Sequence, residues 1–193
     1  MNNIKLVLAS GSPRRHEILT MAGFAHEVRP TDAAEDTDRT QSPEKVVAAL
    51  SRLKADAALR LAADGEIILA ADTVVAWNGK ILEKPRDAED ARRMLENLSG
   101  NAHSVFTGVT LASKDKIITH VEETAVRFRP LSAEEIAAYI ATGEPMDKAG
   151  SYGVQGRAGK FVSRIEGDYW NVVGLPICKV SCLLRDEFGL CTQ

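Results

Sequence analysis

The sequence is poor in cysteine, in net charge and in long apolar runs, and each shortage excludes a class of protein. Its three cysteines, Cys178, Cys182 and Cys191, fall near the C-terminus. An odd number without CxxC spacing fits neither a disulfide framework nor a zinc site. They read instead as small core residues, with Cys178 and Cys182 on one helix face. The formal net charge is only -3, which argues against general binding to nucleic acid or an anionic membrane, because both need a summed basic field. No apolar run approaches the roughly 20 residues of a membrane span, and 1–5 lacks the charged and apolar regions of a signal peptide. A cytoplasmic protein is expected. The chain has no GxxxxGKS/T or GxGxxG sequence, so neither a P-loop nor a dinucleotide-binding Rossmann site is supported. It has no internal repeat and no low-complexity linker.

What is present suits an ordinary globular chain. With 193 residues, 45% hydrophobic and 26% charged, it is long enough to bury a sizeable core. Strands alternate with helices in the first half and come in hairpins in the second. The expectation is therefore one α/β unit over 1–193, a mixed twisted sheet with flanking helices and two lobes around a cleft.

The chemistry starts at Leu8-Ala9-Ser10-Gly11-Ser12-Pro13-Arg14-Arg15. A short buried strand over 4–9 ends in small residues, Ser12 suits an N-cap and Pro13 the first helical position. Free backbone N–H groups, serine hydroxyls and two guanidinium groups would meet at a helix N-terminus, where the macrodipole already favours an anion. The plainer alternative is a solvated basic turn. The helix over 14–22 buries Ile18, Leu19 and Ala22 and stops at Gly23. The acidic stretch 30–41 reads as an exposed loop, from which Glu35 could reach Mg²⁺ or Mn²⁺.

In the helix opened by Ser42-Pro43-Glu44, Val46, Leu50, Ala57 and Leu61 define an inward stripe. Lys54 falls on that stripe, where it either snorkels outward along its stem or points into a cleft to meet an anion. Residues 66–76 form an apolar, β-branched run interrupted by Asp72. A buried carboxylate needs a base, a metal or an open strand end where it can act catalytically, or it caps a neighbouring turn. Thr73 faces the other side of such a strand. Asn78-Gly79 signals a tight hairpin that returns to Lys84, a second cation at the level of Asp72. Asp87 opens a helix through Leu98, strands follow over 103–111 and 117–128, and Ser132 with Glu135 makes a capping box. His103 and His120 read as isolated and structural.

Six of the fourteen glycines lie between Gly143 and Gly167. Within that segment Gln155 could read a base edge through its amide, or lie in a mobile surface loop. A hairpin of 161–165 with 169–173 and a last helix over 176–188 complete the chain.

Taken in order, LASGSPRR (8–15), the Lys54 helix, AADTVV (70–75), LEKPRDAEDARRML (82–95), LSG with His103 and TGV (98–109), EPMDKAGSYGVQG (144–156) and GDYWNVVGLP (167–176) resemble the Maf family of nucleoside triphosphate pyrophosphatases over nearly the whole chain. The resemblance implies an inosine-triphosphatase-like fold, a divalent cation (Mg²⁺ or Mn²⁺), and cleavage between the α and β phosphates to a nucleoside monophosphate and pyrophosphate. It implies that Asp72 accepts the proton of the attacking water, that Ser10, Arg14, Arg15, Lys54 and Lys84 hold the triphosphate, and that Glu35 with Asp72 serves the metal. Base choice is implied at Arg14, Thr73 and Gln155, a set similar to that of the branch acting on dTTP and UTP, modified uridine triphosphates included. Ala34 departs from an acid common there in relatives. A homodimer, a house-cleaning role and a link to septum formation go with the resemblance. The rival readings are a 7-methyl-GTP pyrophosphatase and a non-catalytic nucleotide-binding regulator of cell division.

Overall fold

Strand β3 (Glu66–Trp77) is the axis of the protein. The structure, a computed structural model, describes residues 4–31, 37–38 and 40–192. One edge of β3 pairs along nine residues, Ile68 to Ala76, with antiparallel β5 (Ala102–Ala112). Beyond β5, β6 (Ile117–Phe128) and β7 (Val162–Glu166) extend the sheet antiparallel. The other edge of β3 is shared. Parallel β1 (Lys5–Leu8) covers it from Glu66 to Leu69, and β4 (Lys80–Leu82), returning through the Asn78-Gly79 turn, covers Val75 to Trp77. β2 (His26–Val28) closes the sheet beyond β1. The result is a mixed α/β fold built on a 7-stranded sheet.

Alternation along β3 sorts the core onto two faces. The even-numbered residues Ala70, Val74 and Ala76 face α2 (Pro43–Leu59), packing with Val47, Ala55 and Ala58. The odd-numbered residues divide along the strand. Ile67, Leu69 and Ala71 join α1 (Pro13–Met21) and α6 (Ile177–Phe188) in one apolar cluster, while Val75 joins α3 (Ala88–Leu98), α4 (Ala133–Ile140) and Phe128 in another. These two clusters are the lobes, and the middle of β3 lies between them. Gly108 of β5 is what lets α2 lie so close. A Cβ there would stand 2.2 Å from the Val47 carbonyl oxygen, well inside contact distance, so only glycine admits the helix backbone.

Several local expectations change. Residues 169–173 are not a strand but a short helix, α5 (Tyr169–Val173). Its Val-Val and aromatic content favours a strand, but Asp168 caps the N-terminus by accepting from the Trp170 and Asn171 N–H groups, and Gly174 ends it at φ 127°. The partner of β7 is β6. Cys178 and Cys191 are exposed and Cys182 half-buried, because α6 turns Val180 and Leu184 inward instead. Leu61 lies past the end of α2 and is 75% exposed. Ala22 and Ala57 are only half-buried. His120 pairs with Glu122 at 2.9 Å.

Candidate functional site

Because β1 stops at Leu69 and β4 begins at Val75, the stretch of β3 from Ala70 to Val74 has no strand beside it on that edge among the described residues. A cavity of about 940 Å³ opens against this gap. Asp72 and Thr73 therefore reach the same cavity from opposite faces of the sheet. The carboxylate sits in the middle of the strand, at a break in its edge, rather than at the strand's end.

On the α2 face, Lys54 Nζ meets Asp72 Oδ1 at 2.6 Å. Their side chains are 17% and 14% exposed, so the pair is largely withdrawn from water. Asp72 is the register partner of Gly108, beside which α2 passes with its backbone in contact. Val47 and Lys54 are two helical turns apart on one face, so the close approach at Gly108 carries Lys54 over Asp72. The lysine neither snorkels away nor stands alone. It gives one carboxylate oxygen a fixed ammonium partner, while Oδ2 makes no hydrogen bond among the described residues.

On the other face, α1 begins where β1 ends. Ser12 occupies the N-cap position but its side chain makes no capping bond; its N–H donates to Ser10 Oγ at 3.3 Å. No acid offsets the first turn of α1. Arg15 turns back under the turn. Its Nε donates to the Gly174 carbonyl (2.9 Å), Nη1 to Ser10 Oγ (3.1 Å) and Nη2 to Thr73 Oγ1 (3.1 Å). Three of its five N–H bonds thus fix the plane of the fork. Arg14 is exposed at the rim of the cavity, and its charge, after that of Lys148, helps hold the Asp147 carboxyl below the usual carboxylate range.

The Thr73 hydroxyl lies 2.9 Å from Thr107 Oγ1, which donates to the Asn171 carbonyl at 3.1 Å. Asn171 Nδ2 donates to Val105 O and to Thr124 Oγ1, and Thr124 Oγ1 donates to Asp168 O. These bonds clamp α5 on β5 and β6. The Asn171 carbonyl, which also accepts from the Gly174 N–H, takes the Thr107 hydroxyl on its second lone pair, and the carbonyl of Gly174, the residue that ends the helix, takes Arg15.

The glycine-rich segment forms the far wall. Its three 3₁₀ turns, Glu144–Asp147, Ala149–Ser151 and Arg157–Phe161, carry Lys148 and Gln155 to the cavity. Glu144 organises the bend: its carboxylate accepts from the Arg157 N–H and the Tyr139 hydroxyl. A Cβ on Gly156 would stand 2.0 Å from that carboxylate. Behind the wall, buried His103 bonds Tyr152 Oη at 2.7 Å, and burial lowers its pKa from 6.5 to about 4. Tyr152 lines the cavity.

Of the residues singled out from the sequence, Ser10, Arg14, Arg15, Lys54, Asp72, Thr73, Lys84 and Gln155 line this one cavity. Glu35 lies outside the described residues. Sequence reasoning missed Thr107, Asn171 and Gly174. The signal that could have found α5 is Asp168 and Gly174 bracketing five residues, a helix start and stop. Among the described residues no three Asp, Glu, His or Cys side chains gather to hold a metal by themselves. Asp72 and Glu83 nevertheless both line the cavity, and Mg²⁺ is commonly held by one or two carboxylates together with substrate phosphates. The donor set fits such an ion.

The family model described as Maf-like protein matches residues 5–187. A curated relative named dTTP/UTP pyrophosphatase from Bacillus cytotoxicus is 49% identical over 91% of this chain and 92% of its own. Another of that name, from an Anaeromyxobacter species, is 50% identical over 94% of this chain and 88% of its own. Among solved structures, a Ham1 protein of Staphylococcus aureus aligns with 64% of this chain and 71% of its own at a TM-score of 0.45 and 16% identity. With a family model spanning nearly its whole length and relatives near half identical, the chain belongs to the Maf-like protein family.

Proposed function

We infer that the chain, acting as one unit over 1–193, hydrolyses nucleoside triphosphates, dTTP and UTP foremost, to the monophosphate and pyrophosphate. The observation that carries this reading is the junction, in one cavity, of an ion-paired aspartate with a basic helix N-terminus and further cations from α2 and the β4 end. The relatives named dTTP/UTP pyrophosphatase supply the substrate class. Phosphoanhydride cleavage asks for positioning, neutralisation of charge and an oriented water, with little covalent work from the protein.

In this reading Arg15, Ser10 and the backbone N–H groups that open α1 bind phosphate oxygens, with Arg14 and Lys84 closing from the rim. Lys54 orients Asp72 through Oδ1 and leaves Oδ2 to take the proton of the attacking water. Arg14, Thr73 and Gln155 meet the base. A divalent ion, Mg²⁺ or Mn²⁺, would be held by Asp72, with Glu35 or Glu83, and by phosphate oxygens; when bound it supplies charge neutralisation on the anhydride. A cytoplasmic homodimer completes the reading. No helix among the described residues is long and apolar enough to cross a membrane, and light scattering on the purified protein reads the oligomer.

The experiment is pyrophosphate release from dTTP, UTP, CTP, GTP and 7-methyl-GTP with Mg²⁺ or Mn²⁺. Preference for dTTP and UTP supports the reading. Preference for 7-methyl-GTP, or metal-dependent binding without release, overturns it.

A further inference from the structure

Arg15 touches two hydroxyls whose hydrogens point in opposite senses. Ser10 Oγ accepts from Arg15 Nη1 and from the Ser12 N–H, so its own hydrogen is left to donate, as an anion requires. Thr73 Oγ1 also accepts from Arg15, but it lies 2.9 Å from Thr107 Oγ1. Thr107 in turn faces the Asn171 carbonyl at 3.1 Å, and a carbonyl only accepts. A hydroxyl has one hydrogen. That of Thr107 must go to Asn171, so that of Thr73 must go to Thr107. Thr107 and Asn171 are both 0% exposed, so no water substitutes for either bond, and reversing the chain would set two oxygen acceptors against each other at a cost of about 1–3 kcal/mol.

We propose that Thr107 is a positioning residue that makes Thr73 an obligate hydrogen-bond acceptor towards the cavity, and that this lone pair selects a base carrying an imide N–H. A phosphate oxygen cannot use it, because both would be acceptors. A ligand N–H can. Uracil and thymine present such a group between two carbonyls, whereas the matching ring nitrogen of cytosine is itself an acceptor. Gln155 lines the same cavity with an amide able to serve a flanking carbonyl. The inference rests on the reading of the cavity as a nucleoside triphosphate site and adds how that site tells one pyrimidine from another.

The test measures Kd by calorimetry and kcat/KM by pyrophosphate release for UTP and CTP, on the wild type, Thr107→Val, Thr107→Ser, Thr73→Val and the Thr73→Val/Thr107→Val double variant. Thr107→Val keeps the side-chain shape, and Asn171 O retains the Gly174 N–H at 3.0 Å, so the helix end stays bonded. With its hydrogen released from Thr107, Thr73 can donate to cytosine. The preference for UTP over CTP is expected to fall about tenfold in Thr107→Val, to return in Thr107→Ser, and to fall no further when Thr107→Val is added to Thr73→Val. An unchanged preference in Thr107→Val overturns the proposal. An equal loss in both backgrounds overturns it as a general packing effect. If Thr107→Val does not fold, Thr107→Ala replaces it with the same expectations. Binding with the expected preferences but no release by the wild type contradicts the pyrophosphatase reading alone, and no binding of either nucleotide contradicts both.

Discussion

Asp72 and Thr73 are neighbours in one strand, yet the two sides of the sheet treat them by different physics. Asp72 meets a full opposite charge at 2.6 Å, delivered by a helix whose backbone rests on Gly108. Thr73 meets a guanidinium on one side and a neutral chain of hydroxyl and carbonyl on the other. The charged side depends on one long-range approach and resists being half dismantled, since removing either partner strands the other in a poorly hydrated place. The neutral side is held by several weak bonds, each costing little, and its content is direction rather than strength. In the function proposed above, water activation falls to the first side and discrimination to the second.

The largest break comes from Lys54→Met. It leaves Asp72 without its orienting ammonium and the triphosphate without a cation, and kcat/KM for dTTP is expected to drop about 10²–10³-fold in steady-state pyrophosphate release. A loss under threefold would show that Asp72 does not rely on the pair. Next is the neutral wall behind Tyr152. His103 has its pKa lowered to about 4 from 6.5 by burial. A depressed histidine gives stability that is complete above 6.5 and is lost as pH falls towards 4, because the unfolded chain takes the proton first. Between pH 7 and pH 4 this group is expected to cost about 3 kcal/mol, and chemical denaturation of the wild type and His103→Phe should show a shallower acid slope in the variant. Equal slopes would refute this source of acid sensitivity.

Gly108→Ala tests how Lys54 is delivered. The added methyl meets the Val47 carbonyl, and a loss of about 1–3 kcal/mol in urea unfolding is expected, with kcat lowered as α2 shifts. An unchanged kcat would mean that Lys54 reaches Asp72 without that close approach. Arg15→Lys is smaller still. A single ammonium cannot serve Gly174 O, Ser10 and Thr73 at once, and KM should rise about tenfold with kcat nearly kept. A matched fall in kcat would put Arg15 on the transition state instead.

Much of this was legible in residue order. The apolar run broken by Asp72 gave the central strand, Ser12-Pro13 the start of α1, Asn78-Gly79 the hairpin and Ser132 with Glu135 the capping box, because each is a local signal with a local cause. Lys54 on an apolar stripe leaves an outward and an inward lysine equally open in the sequence, and the contact with Asp72 decides for the inward one. What sequence order does not carry is which strands share an edge, so the gap from Ala70 to Val74 was invisible, and with it the reason that Asp72 and Thr73 reach one cavity. Thr107 was illegible for the same reason. A threonine in a strand is ordinary until the sheet sets it beside Thr73 and below the end of α5. The 169–173 segment was misread because aromatic and β-branched content outweighed the Asp168 cap and Gly174 stop. The cysteines are expected in the core because a free thiol packs as a small apolar residue, but α6 turns Val180 and Leu184 inward and leaves Cys178 exposed and Cys182 half-buried.

The central claim, that the Asp72 carboxylate takes a proton from water while the basic cradle holds the nucleotide, is tested most directly by Asp72→Asn. The amide keeps the shape and can still accept from Lys54, but it is a very poor base. Calorimetric binding of dTTP with Mg²⁺ is expected to stay within about fivefold of wild type, while pyrophosphate release falls by about 10³-fold or more. Release at the wild-type rate from this variant would contradict the account.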